Sequence, residues 1–149
     1  MKIEEAIRQP KFSSAQQKAI VNIMYTYNWM NGIQEELFTK FDITQQQYNV
    51  LRILRGRYPN SICAGEIKEV MIDRSPDLTR LCDRLMKKEL IERQVNEYNR
   101  RQVLIKITIT GLELLKEIEP ALKNMSKRFK NLTDDEADKL SELLDKLRG

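Results

Sequence analysis

The side chains best suited to chemistry in this sequence are arginines, and they are concentrated in its middle. Residues 52–110 carry 13 basic and 8 acidic side chains, a net charge of +5, whereas residues 1–51 are neutral and residues 111–149 carry −1. Nine arginines lie in the middle region, at positions Arg52, Arg55, Arg57, Arg74, Arg80, Arg84, Arg93, Arg100 and Arg101. A guanidinium presents a flat fork of N–H donors that matches phosphate oxygens and guanine edges. The charge distribution therefore predicts that the middle of the chain contacts a polyanion.

Other kinds of chemistry have little support. The chain has no histidine, the side chain that serves most often as a general acid or base near neutral pH. No phosphate-binding or nucleophile-elbow motif occurs among its five glycines. Cys63 and Cys82 lack the spacing of a zinc site or a disulfide framework. We expect no enzyme, no cofactor and no metal site.

The cellular location follows from hydropathy. No segment of the 149 residues approaches the roughly 18 consecutive apolar residues of a membrane span. The N-terminus MKIEEAIRQPKF is charged throughout, unlike a signal peptide. We expect a cytoplasmic protein without a membrane partner, with both thiols reduced. Cys82 lies on an apolar stripe and is expected to be a core thiol, whereas any redox role of Cys63 is left open.

The segment RSPDLTRLCDRL, residues 74–85, predicts a helix that exposes arginines. Ser75 is a good N-cap, Pro76 suits the first helical position, and Asp77 complements the positive end of the helix dipole. An apolar stripe at i, i+3, i+4, i+7 and i+8 should hold the helix to the core. That stripe consists of Leu78, Leu81, Cys82, Leu85 and Met86. Thr79, Arg80 and Arg84 should then point into solvent.

The segments around this helix predict a winged helix-turn-helix. A short helix over 64–71 precedes it after a tight turn. Alternating apolar residues at 91–95 and 103–109 follow it and predict two strands. The polar loop 96–102 between them carries Arg100 and Arg101, so the hairpin forms a basic wing.

Long helices are predicted at both ends of the chain. The first, about 13–38, opens with a capping box of Ser13 and Gln16 and carries two apolar stripes, which suggests that it also packs against a second subunit. A helix from Thr44, with Gln47 as its box partner, runs to about Gly56. A third long helix begins near Thr108 or Thr110 and contains Pro120, which is expected to kink it. The last helix starts at Thr133 with Glu136 as its capping-box partner. The predicted fold class is mainly α with a small β component (α+β).

The order of these elements resembles the multiple-antibiotic-resistance regulator (MarR) family of bacterial transcription factors. The resemblance rests on QQQYNVLRILRGRYP, DRSPDLTRLCDRLMKKELIER and NRRQVLIKIT, and it covers most of the chain. It implies one domain over residues 1–149, with a winged helix DNA-binding lobe at about 44–110. It also implies homodimerisation through long N- and C-terminal helices, at about 1–40 and 111–149.

The resemblance also implies which residues bind double-stranded DNA. They are Ser75, Pro76, Asp77, Thr79, Arg80 and Arg84 in the recognition helix, with Arg100 and Arg101 in the wing. The chain departs from the family at three positions. Asn99 replaces the aspartate that usually precedes the wing arginines, Met71 stands where many relatives have glycine in the turn, and Ile109 replaces a frequent acidic residue.

Small-molecule binding is a weaker expectation. Family relatives bind phenolic effectors between the dimerisation helices and the DNA-binding lobe. Tyr25, Tyr27, Trp29 and Tyr48 could line such a site, although aromatic residues in these positions more often belong to a core or a dimer interface.

The sequence and the resemblance together favour a homodimeric regulator, most often a repressor in this family, bound to a pseudo-palindromic operator. Release by a small aromatic effector is implied by the resemblance alone. The alternative is a winged-helix adaptor that binds protein or RNA without a specific operator. The exposed arginines could also be solvated surface charges paired with Asp77 and Asp83.

Overall fold

The described part of the chain forms two compact units. A computed structural model describes residues 1–74, 76–96, 99 and 102–149. The units are Met1–Gln45 and Gln46–Gly149.

The first unit contains helices α1 (Ile3–Ala6) and α2 (Ala15–Thr39). The N-cap of α2 is Ser14, whose Oγ accepts a hydrogen bond from the Gln17 amide at 3.0 Å. The predicted capping box of Ser13 and Gln16 is therefore wrong by one residue. Ser13 instead donates its backbone N–H to Gln17 Oε1 at 2.7 Å, because Gln17 is the glutamine that lies three positions after the cap.

Helix α2 exposes much of its apolar surface. Ile20, Ile23, Met24, Tyr25, Tyr27 and Trp29 are all exposed, whereas Leu37 and Phe38 are buried. The two predicted stripes therefore remain accessible on a single copy of the chain over the first four turns.

The described residues of the second unit form five α-helices and a small sheet. The helices are α3 (Gln45–Arg57), α4 (Ala64–Val70), α5 (Leu78–Lys87), α6 (Ile109–Ser126) and α7 (Asp134–Arg148), and a 3-10 turn at Lys127–Phe129 separates the last two. Thr133 caps α7 in the predicted box with Glu136. Thr108, not Thr110, caps α6 by accepting from the Gly111 amide at 3.1 Å. Pro120 lies inside α6 and does not end it.

The sheet has one strand more than the predicted hairpin. β1 (Ile62–Cys63), β2 (Ile91–Val95) and β3 (Val103–Ile107) are antiparallel in the order β1-β3-β2. β1 is too short for its two residues to show an alternating pattern. The observed elements confirm the predicted mainly α winged helix fold, with a third strand added to its sheet.

Met71 follows α4 in the connection to α5, and its backbone is not left-handed. Met71 has φ −65° and ψ 138°, and its side chain is buried. The next amide, that of Ile72, donates to Asn49 Oδ1 of α3 at 3.1 Å. A buried methionine in extended conformation therefore closes a turn for which many family members have glycine.

Candidate nucleic-acid interface

The N-terminus of α5 is capped by Asp77. Its Oδ1 accepts hydrogen bonds from the amides of Thr79 at 3.0 Å and Arg80 at 3.3 Å. Ser75, predicted as the N-cap, lies outside the described residues. Pro76 was predicted at the first helical position, but it precedes the helix and its cap. The helix begins later than predicted because the Asp77 carboxylate satisfies two amides that would otherwise lack partners and places a negative charge at the positive end of the helix dipole.

The apolar face of α5 is buried as predicted. Leu78, Leu81, Cys82 and Leu85 are all buried, and Met86 is half-buried. Burial of this stripe fixes the rotation of α5 about its own axis. The opposite face therefore points into solvent.

That solvent face carries the predicted DNA-binding residues Thr79, Arg80 and Arg84, all of which are exposed. The Arg80 side chain is 80% exposed, and its Nε lies 4.0 Å from Asp77 Oδ2. An ion pair so long and so exposed contributes little, so the Arg80 guanidinium remains available to a ligand. Within the described residues Arg84 has no ion pair. The alternative in which Asp83 neutralises Arg84 is not what the structure shows, because Asp83 is paired elsewhere.

The partner of Asp83 is Arg93, on strand β2. Arg93 Nη2 lies 2.8 Å from Asp83 Oδ1 and 3.4 Å from the Thr79 carbonyl oxygen. Arg93 is one of the nine arginines in the middle of the chain, but it is not among the residues predicted to bind DNA. The two residues are ten positions apart in different elements, so helical spacing could not indicate this contact.

The wing is described up to the base of its loop. Asn96 and Gln102 join the two strands through an amide hydrogen bond of 3.4 Å and a side-chain hydrogen bond of 3.1 Å. Arg100 and Arg101 lie outside the described residues, and their contact with DNA stays a prediction. Asn99, the residue that replaces the family's aspartate, is exposed, and its carbonyl accepts from the Gln102 amide at 2.8 Å.

A further basic side chain flanks α5. Arg74 is exposed, and its Nη2 donates to the Glu69 carbonyl at the C-terminal end of α4, at 2.7 Å. A cation there complements the negative end of the helix dipole. Arg74 is not among the residues predicted to bind DNA, although its place just before the recognition helix could have indicated it.

The two cysteines differ in environment. Cys82 is 1% exposed, and this burial raises the pKa of its thiol to about 11. It is a core thiol, as predicted from its place on the stripe. Cys63 is half-buried at the N-cap of α4, where its amide donates to Glu66 Oε2 at 3.1 Å.

A shallow hollow of about 390 Å³ lies beside α3 in the second unit. Its lining includes Arg52, Arg57 and Asn49 of α3, together with Val70 and Ile72 near the turn after α4. None of the four aromatic residues suggested for effector binding lines it. The aromatic effector site stays a prediction.

Over the described ranges, no group of three or more His, Cys, Asp or Glu side chains is arranged to hold a metal ion. No helix within those same ranges combines the length and apolar character needed to cross a bilayer.

The sequence and the fold were compared with known proteins. The sequence profile of the MarR family matches residues 43–103, which cover the helix-turn-helix and most of the wing. The multiple antibiotic resistance protein MarR of Salmonella typhimurium is 36% identical over 113 residues, covering 71% of this chain and 74% of that protein.

Solved structures give the same result. The crystal structure of a MarR transcription factor from Planctomyces limnophilus superposes with a TM-score of 0.72 at 36% identity, covering 91% of this chain and 98% of that one. A mutant of MarR from E. coli, in complex with operator DNA, superposes with a TM-score of 0.74 at 32% identity, covering 84% and 89%. Together with the exposed arginine face of α5, this similarity shows that the chain belongs to the MarR family of DNA-binding transcription regulators, which are not enzymes.

Proposed function

We propose that two copies of this chain bind one pseudo-palindromic operator in double-stranded DNA and repress transcription by covering a promoter. The observation that carries the proposal is the division of α5 into two faces. Its leucines are buried, while Thr79, Arg80 and Arg84 are exposed on the other side. A helix held in this way offers its N-terminal half to a groove without unfolding.

The N-terminal half of α5 enters the major groove in this proposal. Arg80 reads base edges, most favourably the O6 and N7 atoms of guanine, through its planar fork. Thr79 contacts a base or a phosphate, and Arg84 lies one turn further along, where it reaches the backbone or a base. Ser75, Pro76 and Asp77 lie at the groove entrance.

The wing contributes contacts beside the major groove. Arg100 and Arg101 reach a neighbouring phosphate or the minor groove, where arginine is favoured by the negative potential. In this assignment residues of about 44–110 form the DNA-binding lobe, and the helices at about 1–40 and 111–149 form the dimer.

Exposed apolar surface supports the homodimer. α7 has no buried residue, and its leucines Leu140, Leu143 and Leu147 are 45%, 54% and 60% exposed. These three leucines recur at the spacing of one helical stripe. α2 exposes a second apolar surface, described above. Apolar stripes of this kind on long helices are buried by association with a second chain.

Two-fold symmetry then determines the form of the operator. Two recognition helices related by a two-fold axis read half-sites about 34 Å apart, one turn of B-form DNA. An effector that favoured a different separation of the two helices would release the DNA. We propose a small aromatic molecule as that effector, and the exposed Tyr25, Tyr27 and Trp29 support only its chemical class. A repressor of bacterial genes acts in the cytoplasm.

Selection of DNA by the purified protein tests the proposal. Duplexes enriched from a random pool should contain an inverted repeat, and they should bind at least about 10³-fold more tightly than a scrambled duplex at physiological salt. The logarithm of the binding constant should fall linearly with the logarithm of salt concentration for both duplexes.

The same experiment separates this function from an adaptor that binds protein or RNA. An adaptor would show weak binding that is indifferent to sequence and equally sensitive to salt. Sedimentation of the protein should give twice the chain mass of 17.6 kDa. A lone chain that binds scrambled and selected duplexes alike would overturn the proposal.

A further inference from the structure

Arg93 reaches from the wing to the recognition helix. It lies in the middle of β2, where it pairs with Ile105 of β3. Its guanidinium contacts Asp83 at 2.8 Å and the carbonyl of Thr79 at 3.4 Å, two acceptors one helical turn apart on α5. One side chain therefore contacts two positions along one side of α5.

The exposure of Arg93 distinguishes it from the arginines assigned to DNA. Its side chain is 31% exposed, against 80% for Arg80. Its Nη2 contacts atoms of α5, whereas the guanidinium of Arg80 is available to a ligand. Arg93 is therefore poorly placed to neutralise a phosphate of its own.

The contact also changes the charge that α5 presents. Asp83 is on the exposed face of α5, between Thr79 and Lys87, and an unpaired carboxylate there would repel DNA phosphates. Pairing with Arg93 removes most of that repulsion. Because Arg93 belongs to the wing and Asp83 to α5, their ion pair also restricts the angle between α5 and the hairpin.

We propose that Arg93 is a positioning residue, which fixes the recognition helix relative to the wing so that both contact one DNA site in register. This inference rests on the proposed function, because it concerns discrimination between DNA sequences. Arg93 acts through Thr79 and Asp83 and touches no base or phosphate itself.

The test compares two arginines that form similar ion pairs. Arg93→Met removes the charge and the donors but keeps the length of the side chain. Arg55→Met is the matched control, because Arg55 pairs with Glu119 at 2.7 Å at comparable exposure, in α3 and α6. Asp83→Asn tests the same contact from the other side with an isosteric change, and it serves if Arg93→Met folds poorly.

The first readout is the ratio of affinities for a duplex selected by the wild-type protein and for its scrambled version. We expect Arg93→Met and Asp83→Asn each to reduce this ratio by about tenfold, the factor that corresponds to about 1.4 kcal/mol of lost coupling. Arg55→Met should leave it unchanged within about twofold. The double variant should be little worse than either single one, because both remove the same contact.

The second readout separates positioning from direct contact. The slope of the binding constant against salt should be unchanged in Arg93→Met, whereas loss of a phosphate contact would lower it by about 0.9. Hydrogen exchange of the DNA-free protein should accelerate at the amides of residues 80–84 in Arg93→Met but not in Arg55→Met.

The outcomes are distinguishable. A wild-type protein that prefers no duplex overturns the proposed function and this inference together. A wild-type preference that survives in Arg93→Met and Asp83→Asn overturns the positioning role alone. A salt slope lowered by about 0.9 in Arg93→Met also overturns it, because Arg93 would then contact phosphate directly.

Discussion

The substitution Gly111→Ala should destabilise this protein, although alanine is the better helix former. Gly111 is buried in the first turn of α6, next to the base of the wing. A Cβ added there would lie 2.3 Å from the Leu90 carbonyl oxygen and 2.7 Å from Ile107 Cγ1. Carbon and oxygen atoms ordinarily approach to about 3.3 Å. The new methyl group would therefore overlap a backbone atom by about 1 Å.

The overlap cannot be relieved by a side-chain rotation. The Leu90 carbonyl accepts the Thr108 amide at 3.1 Å, and Thr108 in turn caps α6. The backbone segments that meet here, between α5 and the wing and between the wing and α6, would have to shift together. Overpacking of this kind costs about 1–3 kcal/mol, and the intrinsic preference of a helix for alanine returns less than about 1 kcal/mol. We expect the free energy of unfolding to fall by about 2 kcal/mol.

Urea unfolding followed by circular dichroism would measure this change at a fixed protein concentration. Gly56→Ala is the matched control, because a Cβ at Gly56 of α3 meets no atom within 4 Å. That substitution should stabilise the protein by about 0.5–1 kcal/mol. The two identical changes should therefore have opposite signs. Equal stabilisation by both substitutions would refute the inference that a glycine at position 111 is required for the close approach of α6 to the Leu90 carbonyl.

Four further outcomes are expected. Arg80→Ala should weaken binding to the selected duplex by about 1–3 kcal/mol and relax sequence choice in fluorescence anisotropy, and unchanged affinity and selectivity would contradict the assigned face of α5. Asp77→Ala should lower the free energy of unfolding, measured in urea, by about 1 kcal/mol, because the Asp77 carboxylate accepts hydrogen bonds from two amides at the start of α5. Asp77→Asn should lower it by much less, because asparagine is also a good N-cap. Burial raises the pKa of the Cys82 thiol from 9.0 to about 11, so the thiol ionises first in the unfolded chain, and the free energy of unfolding should fall by no more than about 2–3 kcal/mol as pH rises from about 9 to about 11. An equal fall over this pH range in a Cys82→Ala variant would exclude this cause. Leu143→Asp should place a charge on the exposed stripe of α7 and halve the mass in sedimentation, and an unchanged dimer would exclude that stripe from the interface.

The local sequence predicted most elements that build the interface. The spacing of Leu78, Leu81, Cys82 and Leu85 allows only one helical face to be buried, and that face is buried. The alternation at 91–95 and 103–109 predicted three of the four observed strand ends, and the second strand ends at Ile107, two residues earlier than predicted. Patterns of this kind are local, because they depend only on the geometry of one helix or one strand.

Local reasoning failed where several residues could serve equally well. Ser14 and Ser13, or Asp77 and Ser75, are all good N-capping residues, and which of them caps the helix depends on where the helix must begin to bury its stripe. β1 is defined only by the strand that it pairs with, since Ile62 lies opposite Ile105.

The sequence by itself determined the fold class, the buried and exposed faces of α5 and the excess of positive charge around it, because periodicity and composition belong to the chain before it folds. Only the tertiary structure decided which arginines are available to bind DNA and which are held in ion pairs within the protein. Arg80 remains exposed, whereas Arg93 is drawn to Asp83, because packing β2 against α5 brings together charges that are ten residues apart. Pairing across elements depends on distances in space, and no pattern along the chain encodes them.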